Sequence, residues 1–288
     1  MYSVTVLAPA KLNLTLDITG IAENGYHQMD MLMQTVSLYE RVILRKSRRL
    51  RLTLPGSKVP AGPHNTATKA ALAFFHETGL LAGVDIIVHK AVPVRAGMAG
   101  GSADAAAVLV GLNALYNAHL SVQTLCRLGA GIGADVPFAV LGGTARATGI
   151  GEVMQPLAAC PPCWFTVCMP AYGVSTPQAF ARYDSVGTNL HPDTAAAAVA
   201  VQSGDLYALC AAMGNALQFS SESAHNAPIC AILRKCGALS ALMTGSGAAV
   251  FGVFNSEEKA KIAKEALRPR YPECWVVQPV ARGAQVIG

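Results

Sequence analysis

Apolar and polar residues alternate through the start of the chain: Leu12, Leu14, Leu16 and Ile18 point one way, Lys11, Asn13, Thr15 and Asp17 the other. That is the period of a β-strand, and it makes Lys11 and Asn13 neighbours on a polar face. The Asn-Gly step of "ENGYH" predicts a turn, and the runs "MLMQTVSLY", "RVILRK" and "LRLTL" predict antiparallel strands after it. Asn65 is placed to cap a helix over "NTATKAALAFFHETG", whose Ala67, Ala70, Ala71, Phe74 and Phe75 form an apolar stripe. "VDIIVHKAVPV" reads as a strand. Glycines then give way to an alanine-rich helical pattern in "RAGMAGGSADAAAVLVGLNALYN", where Ala105, Val108, Leu109, Leu112 and Leu115 bury one face and Ser102 is a good N-cap. Ser121 caps a further helix before "LGAGIGADVPF", and "GGTARATGIGE" reads as a strand and turn.

Between Glu152 and Pro162 the chain becomes proline-rich, which predicts a boundary between domains 1–154 and 155–288. Beyond it come a strand, "WFTVCMP", a short capped helix, "STPQAFARY", and helical patterns from Pro192 to Cys236. "ALSALMT", Gly245-Ser246-Gly247, "AAVFGVF", the helix "SEEKAKIAKEAL" and the strand "CWVVQPV" follow. The order predicts an α+β layer structure.

At 288 residues, with 22 Lys+Arg against 17 Asp+Glu, the chain is mildly basic. This suits an anionic small substrate and is a weak signal for nucleic acid. No apolar stretch reaches the length of a membrane helix and the N-terminus reads as a strand rather than a secretion signal, so a cytoplasmic protein without a membrane partner is expected. The eight cysteines are then cytosolic thiols. Cys160 and Cys163 in "CPPCW" have suggestive spacing, but no second close pair completes a zinc site and a strand rather than a helix follows. A proline-stiffened connection is the reading adopted there.

Helix starts leave N–H groups without partners and carry partial positive charge, so glycines that curl backbone round an anion make a phosphate site there. Gly97, Gly100 and Gly101 are so placed, although an ordinary connection has the same look. Two common phosphate loops do not fit: GxxxxGK[ST] lacks its lysine, and GxGxxG would need glycine at Ala99 and Ser102.

"PVRAGMAGGSADAA" resembles the phosphate-binding motif of the GHMP kinases, close to P-x-x-x-G-L-G-G-G-S-S-x-A-A, and "APAKLNL" and "MTGSGAAVFGVF" extend the resemblance over almost the whole chain in the family's order. Ala99 replaces a loop glycine, Ala103 a loop serine and Met98 a leucine, while "GNALQ" lacks the acidic residue usual in its segment. If its position needs positive φ, Ala99 narrows the allowed backbone angles. The resemblance implies a two-domain α+β fold, with an N-terminal domain of a type shared with a ribosomal protein, a ferredoxin-like C-terminal domain, and the active site between them. "NGYH", "GIGADVPF", "GGTARATGIGE" and "VSTPQAF" are similar to the branch of the family that phosphorylates the 2-hydroxyl of a CDP-linked methylerythritol with ATP.

By the same resemblance Asp135 and Lys11 are the catalytic pair. Spacing alone would make Asp135 a helix N-cap beside Pro137 and Lys11 a solvated strand residue. ATP is assigned Pro93, Arg95, Ala96, Gly97, Met98, Ala99, Gly100, Gly101, Ser102 and Ala103, together with Asn65 and Lys69, for which capping and solvation are equally open readings. Ser102 would touch a phosphate oxygen or Mg²⁺. With no compact acidic cluster in the sequence, Mg²⁺ is expected to arrive on ATP. Substrate is assigned Asn13, Tyr26, His27, Thr176 and Phe180, with the last stacking on the base; a solvated His27, a core Phe180 and a capping Thr176 are the ordinary alternatives. A monomer or homodimer is expected.

Six of the eleven positions from Arg41 to Arg51 are basic, which supports a rival reading as a nucleic-acid-binding protein. The alternation of "RVIL" and "RLRLTL" favours the solvent side of a hairpin instead. A catalytically dead nucleotide sensor is disfavoured by the presence of both Lys11 and Asp135. Other GHMP kinases of homoserine or mevalonate type would differ in the acceptor.

Overall fold

Two long strands, β1 (Ser3–Ile21) and β2 (His27–Ser47), form an antiparallel hairpin that reaches into both halves of the molecule. The computed structural model describes residues 2–23, 25–188, 190–220 and 225–287. The runs "MLMQTVSLY" and "RVILRK" are thus one strand. Asn24 of the expected turn lies outside the described residues, while Gly25 beside it has φ +81° and donates its N–H to the Ala22 carbonyl at 2.8 Å.

The hairpin is the spine of the first sheet. One end of β2 (Arg41–Ser47) pairs with β4 (Gly83–His89), and the other (Met31–Gln34) with β5 (Thr144–Thr148), which carries β6 (Val153–Pro156). β3 (Arg51–Thr53) is parallel to β4, not antiparallel as expected, and β4 separates it from β2. The basic stretch is therefore not a hairpin. Its alternation still holds: Arg41 and Arg45 are exposed while Val42 and Leu44 between them are buried. Helices α1 (Thr66–Thr78), α2 (Gly100–Leu115), α3 (Val122–Ala130) and α4 (Val136–Leu141) belong to the same half. Val6, Leu44, Phe74, Ile86 and Leu112 share its core. Burying such side chains stabilises the fold by about 1.5–3 kcal/mol each.

The second sheet is built from β7 (Trp164–Met169), β9 (Ser240–Met243), β10 (Val250–Phe254) and β11 (Glu273–Val277), all antiparallel in the order β11-β7-β10-β9. Its last strand lies beside its first, with α9 (Asn226–Lys235) and α10 (Glu257–Leu267) in the two crossings, which is the split β-α-β ferredoxin-like arrangement. Between β7 and α9 the chain adds α5 (Thr176–Val186), α6 (Thr194–Ser203), α7 (Leu206–Ala212), β8 (Gly214–Asn215) and α8 (Leu217–Ser220). The expected helical run from Pro192 to Cys236 is interrupted by β8, which pairs in parallel with β1 at Thr15 and Leu16; positions 221–224 of that run lie outside the described residues. A last strand, β12 (Gln285–Val286), returns to β1. Leu12, Leu14 and Leu32 pack with Phe165 and Phe251, so the far half of the hairpin is buried against the second sheet. Among the described residues no helix is long and apolar enough to cross a membrane.

Candidate active site

Where the hairpin passes between the two halves, β1 carries register shifts between Pro9 and Ala10 and between Asn13 and Thr15. A bulge turns the following side chains to the opposite face. The expected polar face accordingly ends at Asn13: Lys11, Asn13 and then Leu16 line one cavity, whereas the Thr15 hydroxyl bonds Thr194 at 2.8 Å and accepts the Leu32 N–H at 2.8 Å. Lys11 is not a solvated strand residue. It is 6% exposed, donates from Nζ to Asn13 Oδ1 at 2.5 Å, and lies 3.6 Å from Asp135 Oδ2.

Asp135 immediately precedes α4, with Pro137 in the first turn, yet its side chain makes no capping bond. Its carboxylate, one-third exposed, turns toward the cavity and Lys11 instead. Two charged groups from distant segments thus meet on the floor of a cavity of about 680 Å³.

One wall of that cavity is the glycine run. Arg95, Gly97 and Ala99 take left-handed backbone, with φ of 56°, 75° and 58°. The condition on Ala99 is met, and the residue sits where glycine is the unstrained choice. The helix begins at Gly100 with Ala99 as its N-cap, so Ser102 belongs to the first turn and does not cap it. Open N–H groups and the positive end of a sixteen-residue helix therefore face the cavity.

A second glycine segment backs this loop. A Cβ on Gly97 would run into the Thr244 carbonyl, and one on Gly245 would lie 2.8 Å from the Gly97 oxygen. Ala248 and Ala249 donate their N–H groups to the Arg95 and Ala96 carbonyls, both at 3.2 Å. The buried Thr244 hydroxyl accepts the Asn13 N–H at 3.0 Å and reaches the Gly97 carbonyl at 3.4 Å, which registers the loop against the Lys11 strand. Asn215, in the segment that lacks its usual acidic residue, donates to the Met243 and Gly245 carbonyls at 2.8 and 2.9 Å.

Of the residues singled out in the sequence, the cavity gathers Lys11, Asn13, Asn65, Pro93, Arg95, Ala96, Gly97, Met98, Ala99, Gly100, Gly101, Asp135, Thr176 and Phe180. It does not gather Tyr26, His27, Lys69, Ser102 or Ala103; Lys69 and Tyr26 are exposed and Ala103 is buried in the core. Asn65 caps α1 through its side chain, which accepts from Ala67 N–H at 2.9 Å, and borders the cavity as well. Thr176 Oγ1 lies 2.9 Å from Ser246 Oγ, and Ser175 supplies no side-chain cap. The His27 ring tilts over Phe180, with centroids 4.7 Å apart, and its Nε2 lies 2.7 Å from Asp184 Oδ1.

Sequence reasoning missed one group altogether. Lys90 and Asp104 line the cavity and Glu40 lies behind them: Lys90 Nζ is 2.5 Å from Glu40 Oε1 and 2.7 Å from Asp104 Oδ2. Burial pushes both carboxyls up, against the pull of Lys90, and Asp104 rises to about 7 with Glu40's charge adding to the effect. Lys90 is held above its usual range by the two carboxylates, which outweigh its own burial. Glu40 stands between Tyr39 and Arg41 in β2, at the edge of the basic run, where nothing in its spacing marks it as different from an exposed strand residue. Among the described residues no group of three or more His, Cys, Asp or Glu is arranged to hold a metal ion.

Known proteins resemble this chain in sequence and in fold. The pattern of the GHMP kinases N terminal domain matches residues 65–143, and that of the GHMP kinases C terminal domain residues 197–273. A 4-diphosphocytidyl-2-C-methyl-D-erythritol kinase of Alkaliphilus metalliredigens is 38% identical over 288 residues, covering 98% of this chain and 98% of the relative. One of the same name from Exiguobacterium sibiricum is 40% identical over 280 residues, covering 96% and 98%. A crystal structure of a 4-(cytidine 5'-diphospho)-2C-methyl-D-erythritol kinase superposes with a TM-score of 0.81 at 33% identity, covering 96% of this chain and 98% of that one. A homoserine kinase from Cytophaga hutchinsonii, at 18% identity and a TM-score of 0.79, shares the fold. The two-domain α+β architecture, the glycine loop at the cavity wall and full-length identity to these relatives agree: this chain belongs to the GHMP kinase family.

Proposed function

We propose that this chain transfers the γ-phosphoryl group of ATP to the 2-hydroxyl of 4-diphosphocytidyl-2-C-methyl-D-erythritol. The observation that carries the reading is the meeting of Lys11 and Asp135, 3.6 Å apart, at the foot of a glycine loop that opens a helix. The relatives' shared name supports the acceptor. Phosphoryl transfer to an alcohol needs alignment, charge stabilisation and a destination for the hydroxyl proton. Asp135 is the proton acceptor. Lys11 keeps that carboxylate ionised and stabilises the developing alkoxide, and Asn13 fixes the ammonium through the Lys11–Asn13 hydrogen bond. The N–H groups of Gly100 and Gly101 cradle the phosphates, and Gly97 admits the second glycine segment that holds the loop.

The open N–H groups and positive helix end suit a polyphosphate, and Mg²⁺ carried on ATP would supply charge neutralisation on the phosphates. Phe180, with His27 against it, is the platform for the cytosine ring. A division between the halves belongs to the same proposal, but not at 154/155, which would cut β6 (Val153–Pro156). It is moved to the stretch between Pro156 and Trp164, where "CPPCW" leads into β7, while β8 and β12 return later to the first sheet. The test is Mg-ATP with an acceptor panel of the cytidyl substrate, homoserine, mevalonate and galactose, following ADP release. Turnover with the cytidyl compound alone is expected; preference for another acceptor defeats the assignment.

A further inference from the structure

Glu40 reaches from the first sheet to the chain on either side of the glycine loop. It lies on β2 with no solvent exposure, and its two oxygens take different partners. Oε2 accepts the Ala91 N–H at 2.8 Å, at the point where β4 gives way to the loop. Oε1 lies 2.5 Å from Lys90 Nζ and would be 3.1 Å from a Cβ on Gly100, the first residue of α2. One carboxylate therefore touches the chain just before the loop and underlies the chain just after it. The positive end of α2 favours a negative charge there. A buried carboxylate costs a great deal unless paired and bonded; Glu40 is paired with the Lys90 ammonium and bonded at Oε2 by a backbone donor, while Oε1 accepts no hydrogen bond among the described residues.

Lys90 answers to two acids at once. Its ammonium forms an ion pair with Glu40 Oε1 and donates a hydrogen bond to Asp104 Oδ2 at 2.7 Å, and Lys90 and Asp104 both face the cavity whereas Glu40 does not. Asp104 Oδ1 is buried with no hydrogen-bond partner among the described residues. Left with Asp104 alone, Lys90 would be free to follow it; held from the other side by Glu40, it stays between the two. The geometry points to Glu40 as a positioning residue for nucleotide binding: it fixes Lys90 and the entry to the loop from behind, so that the Lys90–Asp104 pair and the glycine cradle face the cavity together. This rests on the kinase reading above. It concerns the nucleotide half of the site and leaves the acceptor half alone.

The variant Glu40→Gln keeps the side-chain shape and an acceptor for the Ala91 N–H, but removes the charge that holds Lys90. Binding of Mg-ADP, measured by calorimetry without acceptor, should weaken roughly tenfold, the usual scale for losing one charge-assisted contact. In turnover assays the KM for ATP should rise by a similar factor while the KM for the acceptor stays within twofold. If Glu40 acts through Lys90, Glu40→Gln added to Lys90→Met should produce little further loss, whereas independent effects would multiply. Should Glu40→Gln not fold, Glu40→Asp, which keeps the charge one methylene short, carries the same comparison of the two KM values. An unchanged Mg-ADP affinity in the folded variant, equal rises in both KM values, or multiplicative losses in the double variant would each overturn the role of Glu40. A wild-type chain that binds no Mg-ADP would instead overturn the kinase reading beneath it.

Discussion

Lys11 Nζ stands 3.6 Å from Asp135 Oδ2, although one residue lies in the first strand and the other begins a helix far along the chain. The ammonium is held by Asn13 as well, so Lys11 cannot swing away from Asp135 without breaking a second contact. Asp135→Asn retains size and removes the proposed proton acceptor. Turnover should fall about 10²- to 10⁴-fold, the range for loss of a general base, with Mg-ADP binding nearly unchanged. Lys11→Met should lower kcat in the same assay. A folded Asp135→Asn enzyme within a few-fold of wild type would take Asp135 out of the mechanism.

The glycines of the loop make separable predictions. Gly97 combines φ +75° with a neighbouring Thr244 carbonyl that leaves no room for a Cβ. Gly97→Ala should therefore destabilise the protein by about 1–3 kcal/mol, read from urea unfolding. Gly101 is different: a Cβ there meets only the Thr66 side chain, at 3.4 Å and 3.9 Å. Gly101→Val should leave the unfolding midpoint near wild type and weaken nucleotide binding about tenfold by crowding the cradle. Ala99→Gly removes a Cβ from a left-handed position and should be neutral or slightly stabilising in the same two measurements.

How far these features could be read beforehand depended on whether they were local. The cap at Asn65 and the stripe of Ala67, Ala70, Ala71 and Phe74 follow from spacing and were legible, with Phe75 only half-buried. The expected apolar residues of α2 are buried, although that helix is covered on every side from Ala103 to Leu109 rather than on one face. The glycine loop and the Lys11 and Asp135 segments were legible through motif order. What failed was long-range. The bulge after Asn13 depends on pairing with Met33 and Leu32, and it moved Leu16 into the cavity in place of Thr15. β3 chose a parallel partner that comes later in the chain, which no turn signal between Ser47 and Arg51 could announce. Glu40, Lys90 and Asp104 come from three separate segments, and their meaning lies only in their meeting.

That cluster also gives a dependence on pH. Asp104 is raised to about 7 in the folded protein, mainly by burial, against an unfolded value near 3.9. Between these values the folded chain binds more protons than the unfolded one, so this group's contribution to stability falls as pH rises and levels off above about 7. The slope is at most about 1.4 kcal/mol per pH unit for one such group. Asp104→Asn removes it. The stability of the variant relative to wild type should therefore grow between pH 5 and pH 7 in urea titrations and then stop growing. A difference that does not change with pH would mean that Asp104 stays ionised throughout.

The acceptor prediction turns on Phe180. Its ring lines the cavity, while His27 covers it at 4.7 Å and is anchored to Asp184. On the proposed reading a cytosine ring rests on this platform, away from the reacting hydroxyl, and its binding energy would hold the sugar alcohol in line with the phosphate. Base–aromatic stacking is worth about 1–3 kcal/mol. Phe180→Ala should accordingly raise the acceptor KM roughly 5- to 150-fold with the KM for ATP unchanged. Stacking tolerates any base, whereas hydrogen bonds to a base edge do not, because a mismatched edge leaves buried polar groups unpaired. The uridine analogue should therefore be a poor substrate for wild type, and methylerythritol phosphate, which lacks the base, should be poorer still. The measurement is kcat/KM for the three acceptors in wild type and Phe180→Ala. If wild type used all three equally, the base would not be read at all, and the acceptor would have to be sought among those of other GHMP kinases.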